Sequence, residues 1–482
     1  MRNSKSLKMN AAMNAILAVS SFIFPLITFP YVSRVLFPEN IGKVSFVGSI
    51  ITYFDMVAQL GIPTYGIRAC SKVRDDREKL TRTVHEILFI NLCMTVLSYL
   101  ILIVLVTIIP RFADQKILFI AMSSVVFLNS IGMEWLFKAM EQYSYITIRS
   151  VVFKLIALLA MFLLVRKKED YVVYGAISIF ASSASNILNL ISAKRFIWFH
   201  PVGGYDIKHH IAPILVFFAM TCATTVYTNL DTVMVGFIGT DTDVGYYNAA
   251  VKIKNVLISV VTSLSAVLLP RLSFYVEKKN MDAFYNACKK ALHFVIIATL
   301  PLTVFFILFA RHGILFLCGN AYLESISPMQ WIMPTVFFVG LSNITGIQML
   351  IPLGEERLVL YSVVAGAIVD FVLNLILIPT YASTGAAIGT LCAEIVVTVF
   401  QLISLRKVIF SLLQDIPYIK IIGACAIATG VSTFSVLLAL NSFWTLVIAA
   451  FLMFGTYFCM LFLMKDGLIV DLASEMWHKL KR

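Results

Sequence analysis

The chain has 482 residues, of which 60% are hydrophobic and 13% charged, whereas a soluble domain is typically about 45–50% apolar and about 25% charged. This composition excludes a soluble globular fold and predicts an all-α integral membrane protein. The formal net charge of +12 is explained by basic loops facing anionic lipid headgroups, so it requires no nucleic-acid partner.

In chain order, apolar segments long enough to form transmembrane helices follow one another along most of the sequence. A helix needs about 20 apolar residues to cross the hydrocarbon core. Fourteen segments meet this length, namely 11–36, 43–66, 84–109, 115–139, 143–165, 171–193, 210–238, 245–269, 291–318, 327–352, 357–379, 383–405, 417–440 and 442–464. The connecting loops are short, which leaves no room for a sizeable soluble domain.

Lysine and arginine are concentrated in alternate loops. One side carries the N-terminal Arg2, Lys5 and Lys8 and the basic C-terminal tail, whereas the opposite loops hold few uncompensated cations. By the positive-inside rule, both termini are expected on the cytoplasmic side. Two of the basic loops, SKVRDDREKLTRT and YVEKKNMDAFYNACKK, have charged and apolar residues at helical spacing and predict helices lying along the inner leaflet.

The sequence is internally duplicated. Residues 150–195 begin SVVFKLIALLAMFLLV and residues 362–407 begin SVVAGAIVDFVLNLIL. Both these starts and the LIS triplets near the ends of the two ranges are offset by 212 residues. This spacing predicts an N-lobe over 1–195 with six helices and a C-lobe over 196–407 with the next six, followed by 408–482 with two helices and a cytoplasmic tail. Parallel repeats of this kind enclose a central cavity in transporters.

The stretches FPLITFPYVSRVLFPENIGKVSF and YFDMVAQLGIPTYGIRACSKVRDD, with VGYYNAAVKI further on, resemble Wzx-type polysaccharide flippases of the MOP superfamily. Its other branches include MATE exporters and lipid II flippases. The resemblance covers the whole chain. It implies a MATE-like two-lobed bundle in the bacterial inner membrane. Such a protein moves undecaprenyl-diphosphate-linked oligosaccharides by alternating access for capsule, exopolysaccharide or O antigen assembly, acts as a monomer among membrane lipids, and supplies a polysaccharide polymerase.

Cationic side chains inside the predicted spans are candidates for binding the lipid diphosphate. A charge near the bilayer centre costs at least about 2.5 kcal/mol, so it normally faces a cavity or a partner. Arginine binds phosphate oxygens bidentately and lysine binds them as a point charge. The candidates are Arg34, Arg149, Lys154, Lys252, Lys254 and Arg311.

Several of these cations have a structural alternative. Arg34 could pair with Glu39 at the outer face, and Arg149 could extend to the membrane surface. Lys252 and Lys254 point about 200° apart on a helix, so they cannot both face one lumen, and Lys252 is favoured.

A second set of candidates is anionic or polar and is expected to couple transport to a cation. Carboxylate, amide and hydroxyl oxygens suit hard cations, and the resemblance implies a Na⁺ or H⁺ site in the second half. Hydrogen bonding within the bundle is the alternative. Asp55 and Glu134 are not assigned to coupling, and either could neutralise Lys138, Arg149 or Lys154. The coupling candidates are Asp231, Asp370, Asn374, Thr390 and Glu394.

Enzymatic alternatives have little support in the sequence. There is no GxxxxGK[ST] motif for ATP, and the eight cysteines are scattered, so neither a metal site nor a disulfide is predicted. The DTD at 241–243 is similar to the DxD of glycosyltransferases, which makes a membrane transferase one alternative. A MATE-like exporter of organic cations is the other, although its cavity should be rich in carboxylates and aromatics.

Overall fold

The computed structural model describes residues 7–262, 265–470 and 474, and throughout these ranges the regular secondary structure is helical. The predicted cytoplasmic ends of the chain lie outside the described residues. The described chain divides into two compact units, one up to Gly236 and the other from Phe237 onward. The lobe boundaries drawn from the duplication remain a prediction.

The first unit is built from ten helices. Their bounds are α1 Leu7–Gln59, α2 Ile62–Lys72, α3 Arg77–Ile108, α4 Pro110–Ala113, α5 Lys116–Gly132, α6 Glu134–Ala139, α7 Tyr143–Leu164, α8 Tyr171–Ile179, α9 Asn186–Ala193 and α10 Lys208–Ile238, the last two residues of which belong to the second unit. A π-helical turn over Phe180–Ala184 joins α8 to α9.

The described part of the second unit contains ten further α-helices. Their bounds are α11 Asp241–Thr262, α12 Ser265–Glu277, α13 Met281–Leu308, α14 Ala310–Leu317, α15 Ile326–Ile332, α16 Thr335–Ser342, α17 Glu356–Ser404, α18 Arg406–Gln414, α19 Tyr418–Leu437 and α20 Ser442–Leu463. A π-helical segment over Asn343–Leu350 extends α16.

The predicted spans match the described helices. Ten helical stretches in these ranges are long and apolar enough to cross a membrane. Phe37 (φ 61°, ψ 168°) breaks α1 and Ala382 (φ 47°, ψ −126°) breaks α17. Both breaks fall between predicted spans, so α1 and α17 each cover two of the predicted spans, and α5 is a shorter apolar helix within another. The predicted all-helical, multi-span fold is confirmed.

The helices follow the rule that backbone polar groups in a bilayer must be satisfied within the helix. Apolar residues on their outward faces are widely exposed, as at Ile120 of α5 (70% exposed) and Phe451 of α20 (80%). Such surfaces are stable against lipid and would be unfavourable in water. The interior of the first unit is instead closed by bulky side chains such as Trp135, Phe137 and Tyr65.

The two predicted surface helices are wrong. The loop SKVRDDREKLTRT contains the end of α2, a short turn and the start of the long α3. Asp76 accepts hydrogen bonds from the amides of Glu78 and Lys79 and so begins α3 as an N-cap. The second loop is divided in the same way between α12 and α13, where Asn280 caps α13.

A buried polar cluster fixes the start of α10 to the first unit. The imidazole Nε2 of His210 lies 2.8 Å from the Oε2 of Glu86, and its Nδ1 lies 2.6 Å from the hydroxyl of Tyr65. The backbone amide of Asp206 donates to the other carboxylate oxygen of Glu86. Since Glu86, Tyr65 and His210 lie on α3, α2 and α10, these bonds join three helices.

Candidate functional site

Arg149 of α7 is buried inside the first unit, with 3% of its side chain exposed. Its Nη2 forms an ion pair with the Oε2 of Glu134 at 3.0 Å, and its Nη1 donates to the Ser185 carbonyl at 2.8 Å and to the Asn186 amide oxygen at 3.0 Å. The other oxygen of Glu134 pairs with Lys138 at 2.9 Å. Arg149 therefore does not extend to a membrane surface. Glu134 neutralises two of its three predicted partners, Arg149 and Lys138.

A chain of hydrogen bonds leads from Arg149 to Asp55. The Nδ2 of Asn186 donates to the Oδ1 of Asn129 at 3.1 Å, and the Nδ2 of Asn129 donates to the Oδ2 of Asp55 at 3.0 Å. Since Asn186 also accepts from Arg149, two amides link a guanidinium on α7 to a carboxyl on α1. We call Arg149, Asn186, Asn129 and Asp55 the amide relay.

Lys154 of α7 lies one turn and a half further along the helix and is held by hydroxyl groups. Its ammonium donates to the hydroxyls of Ser20 at 3.0 Å and Ser21 at 2.8 Å, both on α1. Both hydroxyls donate in turn to the Leu17 carbonyl, at 2.7 and 3.0 Å. Within residues 7–262, 265–470 and 474, Lys154 forms no ion pair.

An apolar groove of about 410 Å³ lies between α1 and α7 beside Lys154. Lys154 is the only charged residue in its lining. The apolar residues that line it include Ala15, Val19, Ile23, Ile27, Leu155 and Leu158. The groove therefore presents one ammonium group next to a hydrocarbon surface.

Arg34 of α1 is exposed, and one of its guanidinium nitrogens donates to the Pro30 carbonyl. Glu39, the outer-face partner considered for it, forms an ion pair with Lys43. The remaining cationic candidates lie in the second unit. Lys252 and Lys254 are both half-buried on α11, and Arg311 is exposed on α14.

Part of the predicted coupling set is brought together in the second unit. Asp370 and Asn374, on the first half of α17, are 1% and 0% exposed. A Cβ built on Gly389 of the second half would lie 2.4 Å from the Asn374 amide oxygen and 3.1 Å from an oxygen of Asp370. The next residue, Thr390, shares a hydrogen bond of 3.0 Å with the hydroxyl of Tyr247 on α11.

The two remaining members of the coupling set are placed differently. Glu394 is half-buried one turn after Thr390 on α17. Asp231 is buried on α10 in the first unit. The second unit thus gathers Asp370, Asn374 and Thr390 around Gly389.

The DTD motif is the beginning of a helix. Asp241 is the first residue of α11, and the Oδ2 of Asp243 accepts hydrogen bonds from the amide and the hydroxyl of Thr240. An acidic residue in the first turn of a helix is a common capping arrangement. This capping role accounts for the DTD motif without a glycosyltransferase active site.

Residues that the sequence interpretation missed are mostly uncharged. Asn129 and Asn186 connect Arg149 to Asp55, and Tyr247 and Gly389 complete the surroundings of Asp370. An asparagine within an otherwise apolar span, as in KILFIAMSSVVFLNSIG, is itself a signal, since an unpaired amide is costly in hydrocarbon.

Comparison with known families and proteins gives concordant results. The family model described as "Polysaccharide biosynthesis protein" matches residues 7–276, and the MatE model matches residues 217–376. The "Putative O-antigen transporter" of Escherichia coli (strain K12) is 24% identical over 84% of this chain and 98% of that protein. The protein of the same name in Shigella dysenteriae is 22% identical over 80% of this chain and 96% of its own length.

Solved structures share the fold. The lipid II flippase MurJ in an inward closed conformation has a TM-score of 0.71 at 16% identity and covers 97% of this chain and 100% of its own. An inward-facing multidrug resistance MATE family transporter of the MOP superfamily has a TM-score of 0.62 at 14% identity, covering 82% of this chain and 96% of its own. The MATE-like architecture is therefore confirmed.

Proposed function

Because the chain belongs to the polysaccharide biosynthesis protein family and is a Wzx-type member of the MOP superfamily, we propose that it flips undecaprenyl-diphosphate-linked oligosaccharide repeat units across the bacterial cytoplasmic membrane. At the coarser level, the chain is a multi-span membrane transporter of lipid-linked polysaccharide precursors or a related MOP transporter. We further propose that the chain moves this substrate by alternating access, lies in the inner membrane and has both termini in the cytoplasm.

The observation that carries the proposal is the groove beside Lys154. A polyprenyl diphosphate combines a long hydrocarbon chain with about two negative charges, and the groove combines a hydrocarbon lining with one ammonium group. The serine hydroxyls that hold the ammonium are neutral, and in the described part of the chain no carboxylate forms an ion pair with it. Glu134, whose charge also acts on Lys154, is paired with Arg149 and Lys138. This arrangement favours an amphipathic anion over a cation.

The other candidate cations extend the same proposal. Arg149 is compensated by Glu134 and would act by positioning neighbouring groups, since both Nη atoms of its guanidinium already donate to three partners. Arg34 and Lys252 would meet the diphosphate at other stages of transport, with Lys254 and Arg311 as further basic groups. Asp370, Asn374, Thr390, Glu394 and Asp231 would couple this movement to Na⁺ or H⁺. The chain would act as a monomer and deliver its product to a polysaccharide polymerase.

The first test is accumulation of the lipid-linked oligosaccharide on the cytoplasmic face after depletion of the protein. We expect Lys154→Gln to fail to restore transport at matched membrane abundance, because it removes the ammonium group while keeping a polar side chain only one atom shorter. Lys167→Gln, in an exposed loop, is the matched control and should restore transport fully. Arg34→Ala and Lys252→Ala are expected to fail as well.

Two outcomes would contradict the proposal. If the lipid reaches the outer face normally without the protein, the chain does not carry this substrate. If Lys154→Gln restores transport as well as Lys167→Gln, the groove is not part of the substrate path.

A MATE-like exporter of small organic cations is the alternative that the match of the MatE model over residues 217–376 favours. Export of a cation predicts a path lined by carboxylates and aromatic rings. Uptake of a fluorescent organic cation into proteoliposomes separates the two functions. We expect no protein-dependent uptake, and uptake together with normal lipid flipping in the depleted strain would establish the exporter.

A further inference from the structure

A polar pocket of about 320 Å³ lies wholly within the first unit beside Asp55. It is lined by segments of α1, α5, α8, the following π-helical turn and α10. Asp55 is the only charged residue in its lining. The other polar lining residues are Ser45, Ser49, Thr52, Ser182 and Asn229.

The pocket offers acceptor oxygens more than donors. The hydroxyls of Thr52 and Ser182 donate to backbone carbonyls of their own helices at 2.8 and 3.1 Å. The amide nitrogen of Asn229 likewise donates to a carbonyl one turn earlier at 3.1 Å. Because their hydrogens are used within their own helices, these side chains can offer lone pairs to the pocket. A set of oxygen acceptors around one carboxylate suits a cation.

Asp55 itself is incompletely compensated. Its Oδ2 accepts from Asn129, whereas its Oδ1 is shielded from solvent and has no hydrogen-bond partner in the described part of the chain. Gln59, one turn later, is a neutral amide that also acts on the Asp55 carboxyl, and its nitrogen donates to Ser130 at 3.5 Å. Asp55 forms no ion pair among residues 7–262, 265–470 and 474. An ionised carboxylate in this position is costly, so a positive charge is required to neutralise it.

We propose that the pocket beside Asp55 binds a monovalent cation, either a proton or Na⁺. One carboxylate neutralises one positive charge, whereas a divalent ion would leave an uncompensated charge within the membrane. The titratable and charged groups around Asp55 are Tyr53 on its own helix, Tyr99 on α3 and Asp231 on α10, which acts on Tyr53. Arg149 on α7 reaches Asp55 only through the amide relay.

The position of the pocket also gives cation binding a consequence for transport. Neutralising Asp55 weakens its hydrogen bond from Asn129, because a carboxyl that is protonated or shares its charge with Na⁺ is a weaker acceptor than a bare carboxylate. The change passes to Asn186 and then to Arg149, five residues before Lys154 on α7. This step rests on the proposed function, whereas cation binding itself does not.

The first experiment uses the unmodified full chain in nanodiscs of phosphatidylcholine. Dicyclohexylcarbodiimide reacts with protonated carboxyl groups in apolar surroundings, and mass spectrometry identifies the labelled residue. We expect labelling of Asp55. Protection by Na⁺ at constant pH would identify Na⁺ as the ligand, and labelling that falls with rising pH but ignores Na⁺ would identify the proton. Absence of label on Asp55 under all these conditions would overturn the proposal.

The second experiment compares Asp55→Asn with Asp114→Asn, which makes the same change at an exposed carboxyl of the first unit outside the pocket. Binding of ²²Na⁺ and release of protons into Na⁺-free buffer are measured on monodisperse protein without lipid substrate. Asp55→Asn should weaken Na⁺ binding at least about tenfold, or remove one titrating proton, relative to Asp114→Asn. The proposal is wrong if Asp55→Asn leaves both signals unchanged. Because no oligosaccharide is present, this result is independent of which substrate the protein carries.

Discussion

Glu134→Gln is expected to destabilise the first unit more than any other single change in its ion pairs. The substitution leaves the guanidinium of Arg149, 3% exposed, with two neutral acceptors and no carboxylate. Removing one partner of a buried pair costs about 3–5 kcal/mol. Since Glu134 is itself 36% exposed, the cost should lie near the lower limit, at about 3 kcal/mol.

Two further variants determine whether this cost comes from the pair. Lys138→Gln removes the other cation that pairs with Glu134. The side chain of Lys138 is 34% exposed. A pair of this kind within one helix contributes only about 0.3–0.5 kcal/mol. The double variant Glu134→Gln/Arg149→Met leaves no unpaired charge, so it should be more stable than the sum of its single variants by about 2 kcal/mol.

Reversible unfolding in mixed micelles, followed by far-UV circular dichroism over a series of SDS fractions, measures these differences. The order of stability should be wild type, Lys138→Gln, the double variant and then Glu134→Gln. If Glu134→Gln costs no more than Lys138→Gln, the ion pair contributes no more than a surface pair. If the double variant equals the sum of the single ones, the two residues are not energetically coupled.

Three further predictions concern the backbone. Gly61→Ala should lower folded yield strongly, because Gly61 has φ +72° and a Cβ there would lie 2.5 Å from a backbone nitrogen of α10; a normal yield would contradict the packing. Ala382→Gly should raise the thermal midpoint, since a positive φ of 47° costs an alanine about 1 kcal/mol or more, and an unchanged midpoint would refute this. The amide of Lys79 lowers the pKa of the Asp76 carboxyl, so capping by Asp76 stabilises α3 above the ordinary aspartate pKa and is lost as the pH falls through the lowered one. Asp76→Ala should therefore lower the midpoint at pH 7 and lose this effect at a pH below the ordinary aspartate pKa, whereas Asp75→Ala, which removes a neighbouring carboxyl that does not cap the helix, should leave the midpoint at pH 7 unchanged.

The transmembrane helices could be predicted from the sequence because the bilayer imposes a simple requirement. Every backbone polar group must be satisfied locally, so an apolar segment of sufficient length has to be helical. Even the breaks at Phe37 and Ala382 fall between predicted spans. In the loops, water competes for the backbone hydrogen bonds, and the sequence pattern no longer determines the structure. The charged loop after α2 was predicted to be a surface helix, whereas Asp76 begins α3 directly.

The partners of the charged residues could not be predicted, because they depend on how each helix is rotated. The pairing of Glu134 with Arg149 was one of several possibilities, and Asn186, which lies 37 residues from Arg149, gave no sign of its role. Hydropathy identifies the helices and leaves their facing undetermined. The contact of Gly389 with Asn374 likewise depends on the close approach of the two halves of α17.

The environments of Arg149 and Lys154 show why partners are more informative than charge alone. Both cations lie on α7, and a sequence pattern gives them equal weight. Arg149 donates through its two Nη atoms to a carbonyl, an amide and the carboxylate of Glu134, so its charge is already compensated by an ion pair that an incoming phosphate would have to compete with. Lys154 is held by two neutral hydroxyls beside an apolar groove, so a phosphate there would add compensation without breaking an ion pair. The cost of desolvating a charge therefore favours Lys154 as the group that meets the ligand and Arg149 as the group that organises the bundle around it.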